Sequence, residues 1–405
     1  MGHVITGAHV ITPGKDLGVT SVRIDQSRIS AIGTDVTPSG DDKVTDGAGA
    51  ILLPGFVDIH SHGRSGYDFC DATDEAFDAI GRDKLQDGVT GFLATGLTRP
   101  EEELAEMCRC AERYKARNVG ATCLGVHLEG PFFNKTMAGA QNPDYLRLPD
   151  VSFVRRLNAI SPVKKVSLAP ELEGAEDCIR ALSADGITVS GGHSDANYDV
   201  FERARLAGMT HLTHFCNAMM PIHHLRPTMV TGGLLADDVF AEIITDGVHL
   251  SDPMIRLIAK VKGPDRVMVI TDAMCAAGCP DGLYQLGGLR VRVAEGCARL
   301  ADVPYDPKSV VSNVAGSVAL FCDCFRRFVR VTGWPLHEAV KAAGYNQCRS
   351  LGIGDRGEIA VGQIADLVMT DADFSPIMTI VGGDIRFRKT AGPDASSAVG
   401  PGAGD

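Results

Sequence analysis

The sequence predicts an α/β protein: a (β/α)8 TIM-like barrel plus a small β-sandwich domain formed by both chain ends. Three observations predict it. Eight short apolar runs alternate with longer amphipathic segments between residues 56 and 271, the rhythm of parallel strands each followed by a helix. β-branched residues crowd the first fifty positions and strand-like runs return near the other end. Histidines and carboxylates follow several of the apolar runs, at the rim where a barrel gathers its catalytic groups.

Taken in order, residues 4–11, 19–24 and 28–32 read as short strands separated by Gly, Pro and Asp,. The barrel strands follow at 56–59, 91–94, 123–128, 165–169, 188–190, 211–215, 241–245 and 267–271. Helices are expected between most of them, at 73–86, 101–117, 175–184 and 198–207, with two more at 317–331 and 335–343. Segments 357–360, 367–370 and 378–381 read as strands again. The expected division is therefore a small β domain from 1–54 and 355–390, a barrel over 55–354, and a disordered tail at 391–405, where Ala, Gly, Pro and Ser carry no apolar pattern,.

The chain has 39 Lys and Arg against 51 Asp and Glu, a net charge of −12. That balance excludes a general nucleic-acid or anionic-membrane binder, which needs a basic face, but not one local anion site. No apolar run approaches the roughly 20 residues of a membrane span. Met1-Gly2-His3-Val4 lacks the start of a signal peptide,. The twelve cysteines are scattered, several within apolar stretches, and read as reduced thiols packed as small hydrophobes in a cytoplasmic protein. Gly352-Ile353-Gly354-Asp355-Arg356-Gly357 matches a dinucleotide fingerprint but follows a helical stretch instead of a strand,. There is no GxxxxGK[ST] phosphate loop and no GxSxG elbow,.

The strand ends carry the chemistry. The first run closes with His60-Ser61-His62, the third with Glu129, the fifth leads to His193, the sixth to His214, and the eighth to Asp272. Each alone has a plain structural reading: a turn residue for His193, a core histidine for His214, helix caps for Glu129 and Asp272. Together they follow strands in barrel order and converge on one rim. Residues i and i+2 of an extended segment share a face, so His60 and His62 can meet one ion. Imidazole and carboxylate suit a borderline divalent ion, Zn²⁺ best, better than the oxygen-seeking Mg²⁺ or Ca²⁺. Such an ion brings a water's pKa to about 7, and Asp272 beside it serves as general base and then acid. His127 is in phase with Glu129 and is expected to support a ligand from outside, whereas His211 should face away from His214.

The motif Pro54-Gly55-Phe56-Val57-Asp58-Ile59-His60-Ser61-His62 resembles the opening metal motif of the amidohydrolase superfamily. His127-Leu128-Glu129-Gly130-Pro131-Phe132, Gly192-His193-Ser194 and His214-Phe215-Cys216-Asn217-Ala218-Met219 are similar to its N-acetylglucosamine-6-phosphate deacetylase branch. So are Thr245-Asp246-Gly247-Val248-His249 and Thr271-Asp272-Ala273. The resemblance implies hydrolysis of the acetamido group of an amino-sugar phosphate. It implies a metal held by Glu129, His193 and His214, a second ion at His60 and His62 (one or two per subunit), and Asp272 as acid/base. It implies Gln141, Asn217, Ala218, Arg226 and His249 around the substrate, with the phosphate-binding Arg226 supplied across a homodimer. Two positions depart from the family pattern. Gln141 stands where many members carry His, and Arg226 is shifted by one residue in His223-His224-Leu225-Arg226-Pro227-Thr228, without the usual Gly. The departures keep open a different N-acyl substrate: a non-phosphorylated N-acetyl sugar, another epimer, or an N-acyl amino acid.

Overall fold

A computed structural model describes residues 2–306 and 313–390; the tail expected at 391–405 lies outside them. Eight parallel strands form one sheet in sequence order: β1 (Phe56–Asp58), β2 (Val89–Gly96), β3 (Thr122–Glu129), β4 (Val163–Leu168), β5 (Thr188–Gly191), β6 (Met209–Leu212), β7 (Phe240–Ile244) and β8 (Val267–Ile270). All eight overlap the expected apolar runs, though the sixth ends at Leu212, short of the expected 215, and leaves His214 in the loop beyond it. β2 is buried at every residue, as a parallel strand covered on both faces must be.

The helices stand where the amphipathic period places them. Glu101–Arg117, Ala175–Ala184 and Tyr198–Ala207 have the expected bounds. Glu101, Glu102 and Glu103 open the first of these, and Lys115 and Arg117 close it, matching the helix dipole at both ends. The Asn197 side chain accepts the Val200 N–H and caps the third,.

The first and last parallel strands meet just past their C-terminal ends. The Asp272 N–H donates to the His60 carbonyl at 2.9 Å, and the His62 N–H donates to the Ala273 carbonyl at 2.8 Å. Lower down, Asp58 of β1 accepts from Thr271 Oγ1 at 2.7 Å and from Lys84 Nζ at 2.8 Å. Asp58 and Lys84 are both buried, so each charge relies on the other.

The chain ends pair as expected. Leu367–Thr370 lies antiparallel to Ile51–Pro54, uniting strands from both ends in one eight-stranded mixed sheet. That sheet has its own apolar core, including Ile5, Val10, Val22, Leu52, Leu367 and Ile380. The strand expected at 357–360 does not form. Gly357 is left-handed at φ +95°, and the Ile359 N–H is taken by the Thr12 side chain at 2.8 Å, so no ladder starts there.

One unit was not anticipated. Gly282–Leu286, Leu289–Ala294 and Cys297–Leu300 form a three-stranded antiparallel sheet between β8 and the helix Phe321–Thr332. Its first turn is Gly287-Gly288 between paired Leu286 and Leu289, with φ of +60° and +86°, the two left-handed positions a tight hairpin turn requires. We expect Asp58→Ala, which strands the Lys84 ammonium in the interior, to lower unfolding free energy by about 3–5 kcal/mol in urea denaturation.

Candidate metal centre and active site

The strand ends bring five ligand candidates and Asp272 to one point. β1 runs on into His60 and His62, and β3 ends on Glu129. His193 lies two residues past β5, and His214 two past β6. Two of these positions are backbone outliers for residues with a Cβ: φ is +30° at His214 and +50° at Asp272. Cys216 and Ala218, in the same loop as His214, are left-handed as well. Such conformations cost about 1–3 kcal/mol each and persist where the surroundings enforce them.

Glu129 is the hub. Its Oε1 lies 3.3 Å from His60 Nε2, 3.2 Å from His193 Nε2 and 3.1 Å from His214 Nε2. Its Oε2 lies 3.1 Å from His62 Nε2. Asp272 Oδ1 is 3.3 Å from His60 Nε2 and 3.1 Å from His62 Nε2. His60, His62 and Glu129 form one grouping able to hold a metal ion, and Glu129, His193 and His214 a second.

The hydrogen bonds on the far sides of the rings decide what these atoms offer. His193 Nδ1–H donates to the Met137 carbonyl at 3.0 Å, and His62 Nδ1–H to the Thr95 carbonyl at 3.3 Å. A carbonyl only accepts, so these Nδ1 atoms carry a proton and Nε2 is the atom left to give a lone pair to an ion. His193 Nε2 and His214 Nε2 also approach to 2.8 Å. His60 Nε2 is buried with no hydrogen-bond partner. Acceptors packed against acceptors are stable only around a cation, and a nitrogen–oxygen set with outer hydrogen bonds is what Zn²⁺ takes. The residues fit the metal.

Electrostatics agree. Burial pushes the His60 imidazole down, but Glu129 and Asp272 more than offset it and hold it at about 9. His62 is likewise raised against burial by Asp272 and Glu129. Glu129 would be raised by burial, yet the surrounding imidazoles hold it well below the usual carboxylate range. Asp272 is lowered in the same way, by His60 and His62. Positive charge at this centre is strongly favoured.

A single cavity opens over the cluster, lined by His62, Glu129, His193, His214 and Asp272. Gln141, Asn217, Ala218 and His249 line the same cavity, and Leu286 of the three-stranded sheet forms part of its wall. Gln141 accepts the Thr98 N–H at 2.8 Å through its amide oxygen, which turns its NH2 onto Glu129 Oε2 at 2.5 Å. His249 Nδ1 pairs with Asp246 at 2.8 Å; burial lowers its pKa, but Asp246 wins and the imidazole is raised overall. Arg226 is not in the cavity wall. It sits on an exposed loop, its guanidinium 3.2 Å from His223 Nε2.

His127 supports the site differently from expectation: it bonds Ser167 Oγ at 2.8 Å and Thr95 Oγ1 at 3.3 Å, and its ring meets His60 edge-on. Sequence reasoning missed Glu242 of β7 and Lys165 of β4. Both are fully buried; Glu242 Oε2 lies 3.2 Å from His60 Nδ1, and Oε1 is ion-paired to Lys165. Despite burial, Lys165 and His60 hold the Glu242 carboxyl down at about 2. The available signal was a charge inside each of two apolar strand runs.

The sequence model of the amidohydrolase family matches residues 51–386. The chain belongs to the amidohydrolase family. It is 35% identical to the N-acetylglucosamine-6-phosphate deacetylase of Lysinibacillus sphaericus, over 91% of this chain and 93% of that protein. It is 33% identical to an N-acetylgalactosamine-6-phosphate deacetylase of Escherichia coli O157:H7, over 92% of this chain and 96% of that one. Among solved structures it resembles a variant of N-acetyl-D-glucosamine-6-phosphate deacetylase from Mycobacterium smegmatis in complex with N-acetyl-D-glucosamine-6-phosphate. The TM-score is 0.87 at 32% identity, covering 95% of this chain and 99% of that one.

Because Glu129 belongs to both groupings, we expect Glu129→Ala to abolish binding of every ion, whereas His193→Ala spares the His60–His62 position. Metal analysis after dialysis reads the difference.

Proposed function

We propose that the protein is a Zn²⁺-dependent hydrolase that removes the acetyl group from N-acetylglucosamine-6-phosphate, releasing acetate and glucosamine-6-phosphate. The observation that carries it is the convergence of Glu129, His193 and His214 with Asp272 on one cavity. The similar deacetylases support the substrate. The proposed architecture is a closed (β/α)8 barrel over 55–354, with 1–54 and 355–390 folded as a β-sandwich. The hydrogen bonds between the first and last strands support closure. All twelve cysteines are thiols, which supports a cytoplasmic setting. Among the described residues no helix is long and apolar enough to cross a membrane.

Glu129, His193 and His214 would hold one ion, and His60, His62 and Glu129 another. An ion held there would supply a Lewis acid for the acetamido carbonyl and lower the pKa of water to about 7. Asp272 accepts the proton of the attacking water and returns it to the amino-sugar nitrogen as the C–N bond breaks. The Gln141 NH2, aimed by the Thr98 N–H, can donate a hydrogen bond but cannot carry a proton,. His249, whose imidazole Asp246 biases toward its cationic form, lines the cavity as this chain's own group for the phosphate. Arg226, exposed on its loop, would serve a partner's cavity in a homodimer.

A second reading, an N-acetyl sugar without phosphate, is favoured by one observation: Arg226 stands outside the cavity of its own chain. Acetate release from N-acetylglucosamine-6-phosphate and from N-acetylglucosamine separates the two. The proposal expects a large preference for the phosphorylated sugar, and equal kcat/KM values would sink it.

Asp272→Asn should lower kcat about 10²–10⁴-fold in the same assay, with ion content retained. His249 has a raised pKa, so its charge is present below that value and lost as pH climbs through it. KM for the phosphorylated sugar should therefore rise at a pH above 6.5, the ordinary imidazole value. His249→Gln should remove that rise, and the sugar lacking phosphate should never show it.

A further inference from the structure

Beneath the candidate metal centre a chain of three buried groups ends on the ligand candidate His60, and its other two members, Lys165 and Glu242, are not used by the reaction itself. Lys165 on β4 is ion-paired to Glu242 on β7 across the sheet interior, and Glu242 reaches His60 beyond β1. All three are completely buried. Glu242 spends one oxygen on the Lys165 ammonium and turns the other to His60 Nδ1 at 3.2 Å.

We infer that Glu242 is the positioning residue that makes the His60–His62–Glu129 grouping a metal position, with Lys165 holding it in place. The inference rests on the metal-dependent reading given above. A carboxylate facing Nδ1 can only accept, so Nδ1 keeps its proton and Nε2 is the nitrogen left to give its lone pair to an ion. That is the nitrogen 3.3 Å from both Glu129 Oε1 and Asp272 Oδ1, and it has no hydrogen-bond partner of its own. A carboxylate behind an imidazole also fixes the ring plane and raises its basicity as a ligand.

The other ligand histidines are held differently. His62 and His193 are steadied by backbone carbonyls of Thr95 and Met137, which no side-chain substitution removes. Nδ1 of His214 has no partner. His60 alone among the four depends on a charged side chain. Removing Glu242 should therefore weaken the ion at His60 and His62 and leave the one at Glu129, His193 and His214.

Lys165 explains how Glu242 can be there at all. A lone carboxylate in this interior would be expensive to bury, and the paired ammonium offsets that cost. It also engages the Glu242 oxygen that His60 does not use, so the carboxylate cannot turn away from the ring.

The test is metal titration of the chelator-stripped full chain with Zn²⁺, read as ions bound per chain and as the affinity of each, without reference to turnover. The parent should bind two ions. Glu242→Gln should bind the first with parent affinity and the second 10–100-fold more weakly. Because Glu242→Gln leaves Lys165 unpaired, a second variant, Glu242→Leu with Lys165→Met, removes both charges and can pack as apolar residues. It should give the same selective loss while melting within a few degrees of the parent by circular dichroism. Parent affinity for both ions in this double variant would overturn the inference, as would equal weakening of the two. A parent that binds a single ion overturns this inference and leaves the proposed function standing. A parent that binds none overturns both.

Discussion

The constraint on which the structure turns is a buried carboxylate crowded by imidazole nitrogens. Glu129 meets four imidazole Nε2 atoms between 3.1 and 3.3 Å. At least two of those imidazoles are held as Nδ1–H tautomers by backbone carbonyls. Without positive charge among them such acceptors repel, and burial raises the penalty because little solvent is present to screen it. The fold maintains the arrangement because its donors come from separate strands, each fixed by its own neighbours in the sheet. The left-handed backbone at His214 and Asp272 belongs to the same compromise: aim has been favoured over local comfort.

The interior below this point carries more charge than a barrel core needs for packing. Glu242 with Lys165, and Asp58 with Lys84, place two ion pairs at depth. A hydroxyl chain, Ser190–Thr213–Ser167, leads to His127 and then to the face of the site. Pairs of this kind contribute little net stability against well-packed apolar side chains. What they contribute here is orientation, since Asp58 joins β1 to the end of β8 and Glu242 joins β7 to His60. Each link ties another strand to the segment that carries His60 and His62.

Much of this was legible in the sequence because two periodicities separate cleanly. Buried parallel strands are short unbroken apolar runs, and the helices between them repeat with a period of 3.6; hence the eight strands and helices such as 101–117 match in position. That His60, His62, Glu129, His193, His214 and Asp272 would gather was legible because strand order fixes which residues reach the rim. What escaped depends on tertiary partners. Glu242 and Lys165 are single charges within apolar strands, and only the paired geometry shows that each answers the other. The three-stranded sheet at 282–300 was marked by Gly287-Gly288 between alternating residues, a signal masked by its position after the last barrel strand. The strand expected at 357–360 failed because Thr12, 347 residues away in the chain, takes the N–H a ladder would use.

Gln141 gives the site its particular balance. An imidazole at that position could carry a proton or a charge; an amide can do neither. With Gln141 donating to Glu129, both proton transfers of the proposed reaction fall to Asp272. Yet Asp272 Oδ1 also lies against His60 and His62, and positive charge at that point lowers its pKa. The groups proposed to hold the second ion are thus the same groups that set the basicity of the proton carrier. Metal retention and proton transfer cannot be tuned independently here: whatever weakens the hold on His60 also alters the base beside it.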